Sequence, residues 1–230
     1  MYHKTPYSNN LKAIALNYFF YWNTFKERHC KMPENSERYH AAIEKFDAAN
    51  GEDPNLENVD GKDVPAALIY GHRMSARQEI YEPDASEELQ LACRAQHLQR
   101  WVIPRSDYPE GIKGYNQWRR AMAVFHAEKA GEIMREVGYE EPTIERVQTI
   151  LRKEGRLNDP EVQALEDIAC LVFVEHYFVA FGDKFNYDDD KLVDIVKKTL
   201  RKMSPKAHAS AGGISLPERH TQVIGRAVSE

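Results

Sequence analysis

Six side chains in this sequence stand where chemistry is possible. Glu166, Asp167, Glu175 and His176 fall inside the apolar run LEDIACLVFVEHYF, Leu165 to Phe178. His97 and His126 recur with apolar residues at helical spacing, in the stripes Leu89, Cys93, His97, Trp101 and Met122, His126, Ala130, Ile133, Val137. A carboxylate taken out of water needs a cation, a set of hydrogen-bond donors or a metal, because an unpaired buried charge is strongly destabilising. Asp167 shares a helical face with Leu171, Val174 and Phe178, so it is predicted to look inward. Two inward histidines and an inward aspartate from three helices would suit a divalent metal ion of unknown identity. The competing reading is a structural pair between Asp167 and one of Arg94, Arg100, Arg105, Arg119 and Arg152. On the residues alone both stay open.

The elements that must position these groups read as helices, and the strand template finds almost nothing. Ser36 is placed to cap a first helix carrying Tyr39, Ala42, Ile43, Phe46 and Ala49, with Gly51 as its stop. Gly51 to Asp63 reads as a polar loop. A second helix is expected from Pro65 to about Glu82, and a third from Asp84, with Glu87 at capping-box spacing, to Trp101. Trp101 to Gly114, with two prolines and two glycines, reads as a long structured loop, a kind of segment that often serves function. A fourth helix follows from about Tyr115 to Val137, a fifth from Thr143 to about Gly155, and the acidic apolar one from Asp159 and Pro160. A seventh carries Leu192, Ile195, Val196, Leu200 and Met203 and stops before Pro205, after which the chain reads as a loosely held tail. The expectation is an all-α, single compact helical domain of about seven helices over residues 36–217, with a 1–35 extension and a 218–230 tail.

The composition narrows the classes of function. Of the 230 residues 42% are hydrophobic and 29% charged, ordinary for a globular protein, and no apolar run reaches the ~18 residues of a membrane span. A formal net charge of -5 argues against nonspecific nucleic-acid binding. The basic run KKTLRKMSPK, Lys197 to Lys206, could touch an anion, although a solvated basic helix end is the simpler account. Cys30, Cys93 and Cys170 are odd in number and widely spaced, so no disulfide framework is indicated and a reducing, cytoplasmic setting is expected. Met1 to Lys26 lacks acids and holds the aromatic knot NYFFYWNTF. That segment is open to two readings, import into a mitochondrion or other organelle and the docking of a protein partner.

The motifs CRAQHLQRWVIPR, YNQWRRAMAVFHAEKAGEI, ILRKEG and LEDIACLVFVEHYF resemble the pattern of the domain-of-unknown-function family 4202, from about Arg38 to about Pro217. The resemblance supplies a family and no activity. A remoter likeness is to the HD superfamily of helical metal-dependent phosphohydrolases, with His97, His126 and Asp167 in the order of its metal ligands. Ala127 stands where that superfamily has the aspartate of its His-Asp pair, and Glu128 lies about 200° round a continuous helix from His126. KMSPK, Lys202 to Lys206, resembles the KMSKS loop of class I aminoacyl-tRNA synthetases, yet the chain has neither an HIGH-type motif nor a nucleotide-binding sheet pattern.

What the HD likeness implies is metal-dependent hydrolysis of a small phosphorylated molecule. His97, His126 and Asp167 would then hold the metal, Arg100, Arg105 and Lys153 would meet the phosphate, and Glu166 would assist. The alternative is a noncatalytic helical binding or assembly protein whose buried polar groups are structural.

Overall fold

A computed structural model of the chain describes residues 34–229, with side chains from Glu37 onward. Ten α-helices and one two-stranded antiparallel hairpin make up the described residues. They run α1 (Glu34–Asn50), β1 (Leu56–Val59), β2 (Lys62–Pro65), α2 (Ala66–Tyr81), α3 (Glu87–Ala95), α4 (Gly111–Glu136), α5 (Glu141–Arg152) and α6 (Pro160–Val172). A π turn (Phe173–Tyr177) follows, then α7 (Phe178–Lys184), α8 (Asp189–Leu200), α9 (Pro205–Ala211) and α10 (Glu218–Ser229). The all-α class expected from periodicity is observed. The expectations for the first 33 residues lie outside the described part, and α1 begins at Glu34, two residues before Ser36. None of the helices among the described residues is long and apolar enough to cross a membrane.

Helix starts follow local chemistry. The Ser86 hydroxyl accepts from the Leu89 amide to open α3, and Asp159 accepts from the Glu161 and Val162 amides to open α6, with Pro160 in the first turn. Such caps contribute about 1 kcal/mol each. Asp84 and Thr143 do not cap: Ser86 takes the first role, and α5 starts at Glu141, preceded by Glu140 in the cap position with no side-chain bond, and with Pro142 in its first turn. The third helix ends at Ala95, six residues short of Trp101, because Gln99 adopts a left-handed backbone (φ 50°) and its amide is captured by Asn50 Oδ1 at 2.8 Å.

The predicted loop at residues 51–63 is in part the hairpin β1–β2. Asp60 and Gly61, both at positive φ, supply the turn whose twist suits two paired strands. The expected loose tail is instead α9 and α10. The faces of α10 carrying Val223 and Ala227 pack with Phe178, Leu192, Val193 and Val196 into a second apolar cluster beside the main core. That main core joins Phe46, Met74, Leu89, Met134, Ile150 and Leu165, contributed by the first six helices. Helices α4 and α5 approach so closely at Gly131 that an added Cβ would lie 2.3 Å from Gln148 Nε2. From Arg38 onward the described chain is one compact unit.

Candidate anion-binding site

One side of helix α6 opens on a cavity of about 1320 Å³ bounded by α2, the turn after α3, α4, the end of α5, the π turn and the segment after α8. Eight lysines and arginines line it against four carboxylates, so a chain of net charge -5 concentrates positive charge here. Of the non-glycine residues at positive φ, Lys153 lines the cavity and Gln99 immediately precedes Arg100, which lines it. Residues held in that region carry strain that packing must offset, and they gather at binding sites. At Gln99 the conformation turns the chain so that Arg100 enters the cavity. At Lys153 it ends α5 and leaves the side chain free to reach Glu166.

Arg100 is the most telling group. Its guanidinium lies 4.5 Å from the Trp118 ring centroid, and among the described residues it has neither a carboxylate nor a hydrogen-bond acceptor. Burial weakens its hold on a proton; nearby Tyr70 and Tyr115 oppose this, and Arg119 adds to it. Arg119 itself stands 5.9 Å from the Tyr115 ring, with no ion pair among the described residues. Trp118 is fixed by its indole N–H, which donates to the Ile103 carbonyl at 2.9 Å. The long loop lies directly on α4 at Gly114, where a Cβ would come within 1.8 Å of the Pro109 carbonyl oxygen.

Glu166 is 5% exposed, yet it ion-pairs with Lys153 and has Lys202 Nζ at 3.9 Å. Burial raises its pKa, but Lys153, Lys202 and Arg119 together hold it below the usual carboxylate range. His126 donates from Nδ1 to the Leu98 carbonyl at 2.7 Å, which leaves Nε2 as a buried acceptor with no partner among the described residues. Burial drives its pKa down to about 3, against the Leu98 bond, and Arg100 and Lys153 push the same way. His97 stacks on Tyr70 at 3.7 Å between ring centroids and is also held well below its ordinary value, chiefly by burial and then by Arg100. Both imidazoles are therefore neutral near pH 7, and the positive charge of the cavity belongs to arginines and lysines.

The expected residues divide here. His97 and His126 meet, with ring centroids 5.9 Å apart, and Arg100, Lys153 and Glu166 share their cavity. Arg105 lines it too, but its guanidinium donates to the Tyr108 and Pro109 carbonyls at 2.8 Å each and so braces the loop. Asp167 does not line the cavity. It is 1% exposed and accepts from Tyr81 Oη, Ser204 N, Ser204 Oγ and Gln163 Nε2 at 2.6 to 2.8 Å. None of the arginines weighed as its partner serves: Arg94 pairs with Asp47 and Arg152 with Glu154. Glu175 is held by Arg77 across the π turn, and exposed His176 lies 3.4 Å from Glu175.

The donors expected to hold a metal do not gather. Asp167 faces away with its oxygens occupied, Glu166 is engaged by lysine, and no group of three His, Cys, Asp or Glu among the described residues is arranged to hold a metal ion. KMSPK is accounted for by structure: Ser204 and Pro205 start α9, and Ser204 fastens Asp167. Arg119 went unassigned as an anion contact in the sequence, and Lys202 was offered only as part of the basic run Lys197 to Lys206. Lys202 sat in a run that reads as a solvated helix end, and nothing in the spacing of Arg119 separates it from its neighbour Arg120.

A family model described as Domain of unknown function (DUF4202) matches residues 40–224. The chain belongs to that family. No curated protein and no solved structure matches this DUF4202 protein.

Proposed function

We propose that the cavity of this DUF4202 protein binds a small phosphorylated molecule. The observation that carries the reading is Arg100, a half-buried guanidinium at the cavity wall with an aromatic face beneath it and no acceptor for its N–H groups among the described residues. A partly desolvated cation without an anion is poised to accept one, and a planar guanidinium binds phosphoryl oxygens through two parallel donors. Lys153, Lys202 and Arg119 add donors from three further segments, which suits a tetrahedral anion better than a planar carboxylate. Metal-assisted hydrolysis has no ligand set among the described residues, so the proposal rests on recognition of the phosphoryl group and not on its cleavage.

Calorimetry with inorganic phosphate and with sulfate tests it. The parent protein should bind both, with affinity that falls as salt rises, and Arg100→Gln should bind neither measurably at the same concentrations while keeping its fold by circular dichroism. Equal anion affinity in parent and variant would remove the reading.

A further inference from the structure

Resting on that anion-site reading, we infer that an anion enters this cavity together with one proton, which is taken up by Glu166. The geometry is specific to this carboxylate. Its neighbours from each surrounding element are Lys153 at the end of α5, Lys202 after α8, Arg119 on α4, Tyr70 on α2 and Cys170 one turn along α6. Tyr70 and Cys170 are neutral groups whose pKa values burial raises, so three cations alone hold Glu166 ionised. Those same cations are the donors offered to the anion. When a dianion takes them, it brings two negative charges beside a carboxylate that is almost fully buried, and the shared field no longer compensates both.

Protonating one Glu166 oxygen removes the conflict. The carboxyl group then turns from a competing acceptor into a donor, and its O–H can bond an anion oxygen. The proton comes from solvent, and no other bond changes. Glu166 thereby couples dianion binding to pH: affinity falls as pH rises, because each dianion bound requires one proton. The remaining titratable groups of the wall, His97 and His126, stay neutral because burial and the arginine field oppose their protonation.

Sulfate is the appropriate probe, since it stays a dianion through the neutral range and any proton taken up must go to the protein. Titrate the parent by calorimetry in two buffers of different ionisation enthalpy, from slightly acidic to slightly basic pH. The expected result is uptake of close to one proton per sulfate across that range, with affinity falling about tenfold per pH unit. Glu166→Gln should bind sulfate with no proton uptake and no such pH slope. An infrared difference spectrum of the parent should gain a protonated-carboxyl C=O band on adding sulfate, a readout that needs no variant. Binding by the parent without proton uptake overturns the inference and leaves the anion site standing. Uptake that persists in Glu166→Gln assigns the proton to a histidine and also overturns it. Failure of the parent to bind sulfate or phosphate at any pH instead defeats the anion-site reading itself.

Discussion

Glu166 and Asp167 are consecutive residues on one buried helix, and their surroundings are opposite. Asp167 meets four neutral donors and no cation, in a closed junction where Tyr81, Gln163 and Ser204 tie α2, α6 and α9 together. Glu166 meets two lysines at the wall of an open cavity where a guanidinium lacks an acceptor. A closed, fully bonded junction is worth its hydrogen bonds and changes little. An open one holds charge that packing has not compensated, and that excess is what a ligand can use. The same sequence signal, an acid in an apolar helix, thus marks structure on one side of α6 and recognition on the other.

The contrast breaks most visibly at Asp167. Asp167→Asn replaces an acceptor pair with one acceptor and one donor facing Tyr81 and Ser204, so about 3 kcal/mol of stability should be lost by denaturant melts. A chelator should leave the melting temperature of the parent unchanged. Destabilisation of the parent by chelator would return Asp167 to a metal.

Arg100→Gln reports on the other side. Sulfate affinity should fall about 100-fold, the worth of charge-assisted hydrogen bonds near 2.7 kcal/mol. Its melting temperature without ligand should not fall, since the change removes a half-buried cation that has no carboxylate partner among the described residues. A variant that binds anion normally yet melts far lower would make Arg100 structural and erase the contrast.

The pH dependence sharpens it further. His126 has a folded pKa of about 3 against 6.5 for the free group, so between those values the unfolded chain takes a proton that the native chain refuses. Stability is therefore complete above about pH 6.5 and declines as pH falls toward 3. From pH 6.5 to 5 the loss should approach about 2 kcal/mol, at 1.36 kcal/mol per unit. His126→Gln should show a shallower slope in the same window, measured by urea midpoints. An unchanged slope would show that His126 titrates alike in the folded and unfolded chains.

The smallest effect belongs to the second apolar cluster. His220 is buried against Phe178 with neither ring nitrogen bonded among the described residues. His220→Leu should raise stability by about 1 kcal/mol by removing unsatisfied polar atoms, and should not alter sulfate binding. A loss of stability would reveal a partner for that ring.

Much of this was legible in sequence, and the failures have causes. Seven of the helices follow from spacing at three and four residues, and Asp159 with Pro160 announced α6 because a cap acts within one turn. The hairpin was missed: Asp60 and Gly61 form its turn, but the flanking strands LENV and KDVP lack apolar alternation and so read as loop. Helix α10 has a narrow apolar face, Val223 and Ala227, that is worth little until α8 covers it. The seventh predicted stripe overran α8 for a related reason: Met203 packs in the main core after the helix has ended at Leu200.

By itself the sequence determined that the chain is helical, which helices bury a face, and that His97, His126, Glu166 and Asp167 all leave water, because local spacing fixes which side chains share a face. It also carried the family pattern. Only the tertiary structure decided which acid meets which donor. Residues 166 and 167 are separated by about 100° on the helix, and that angle sends one to the lysines and the other to Tyr81 and Ser204. The partners come from 13 to 86 residues away in the chain, distances over which spacing carries no information. The lone guanidinium of Arg100 is likewise a fact of absence, settled when the fold placed no acceptor beside it among the described residues.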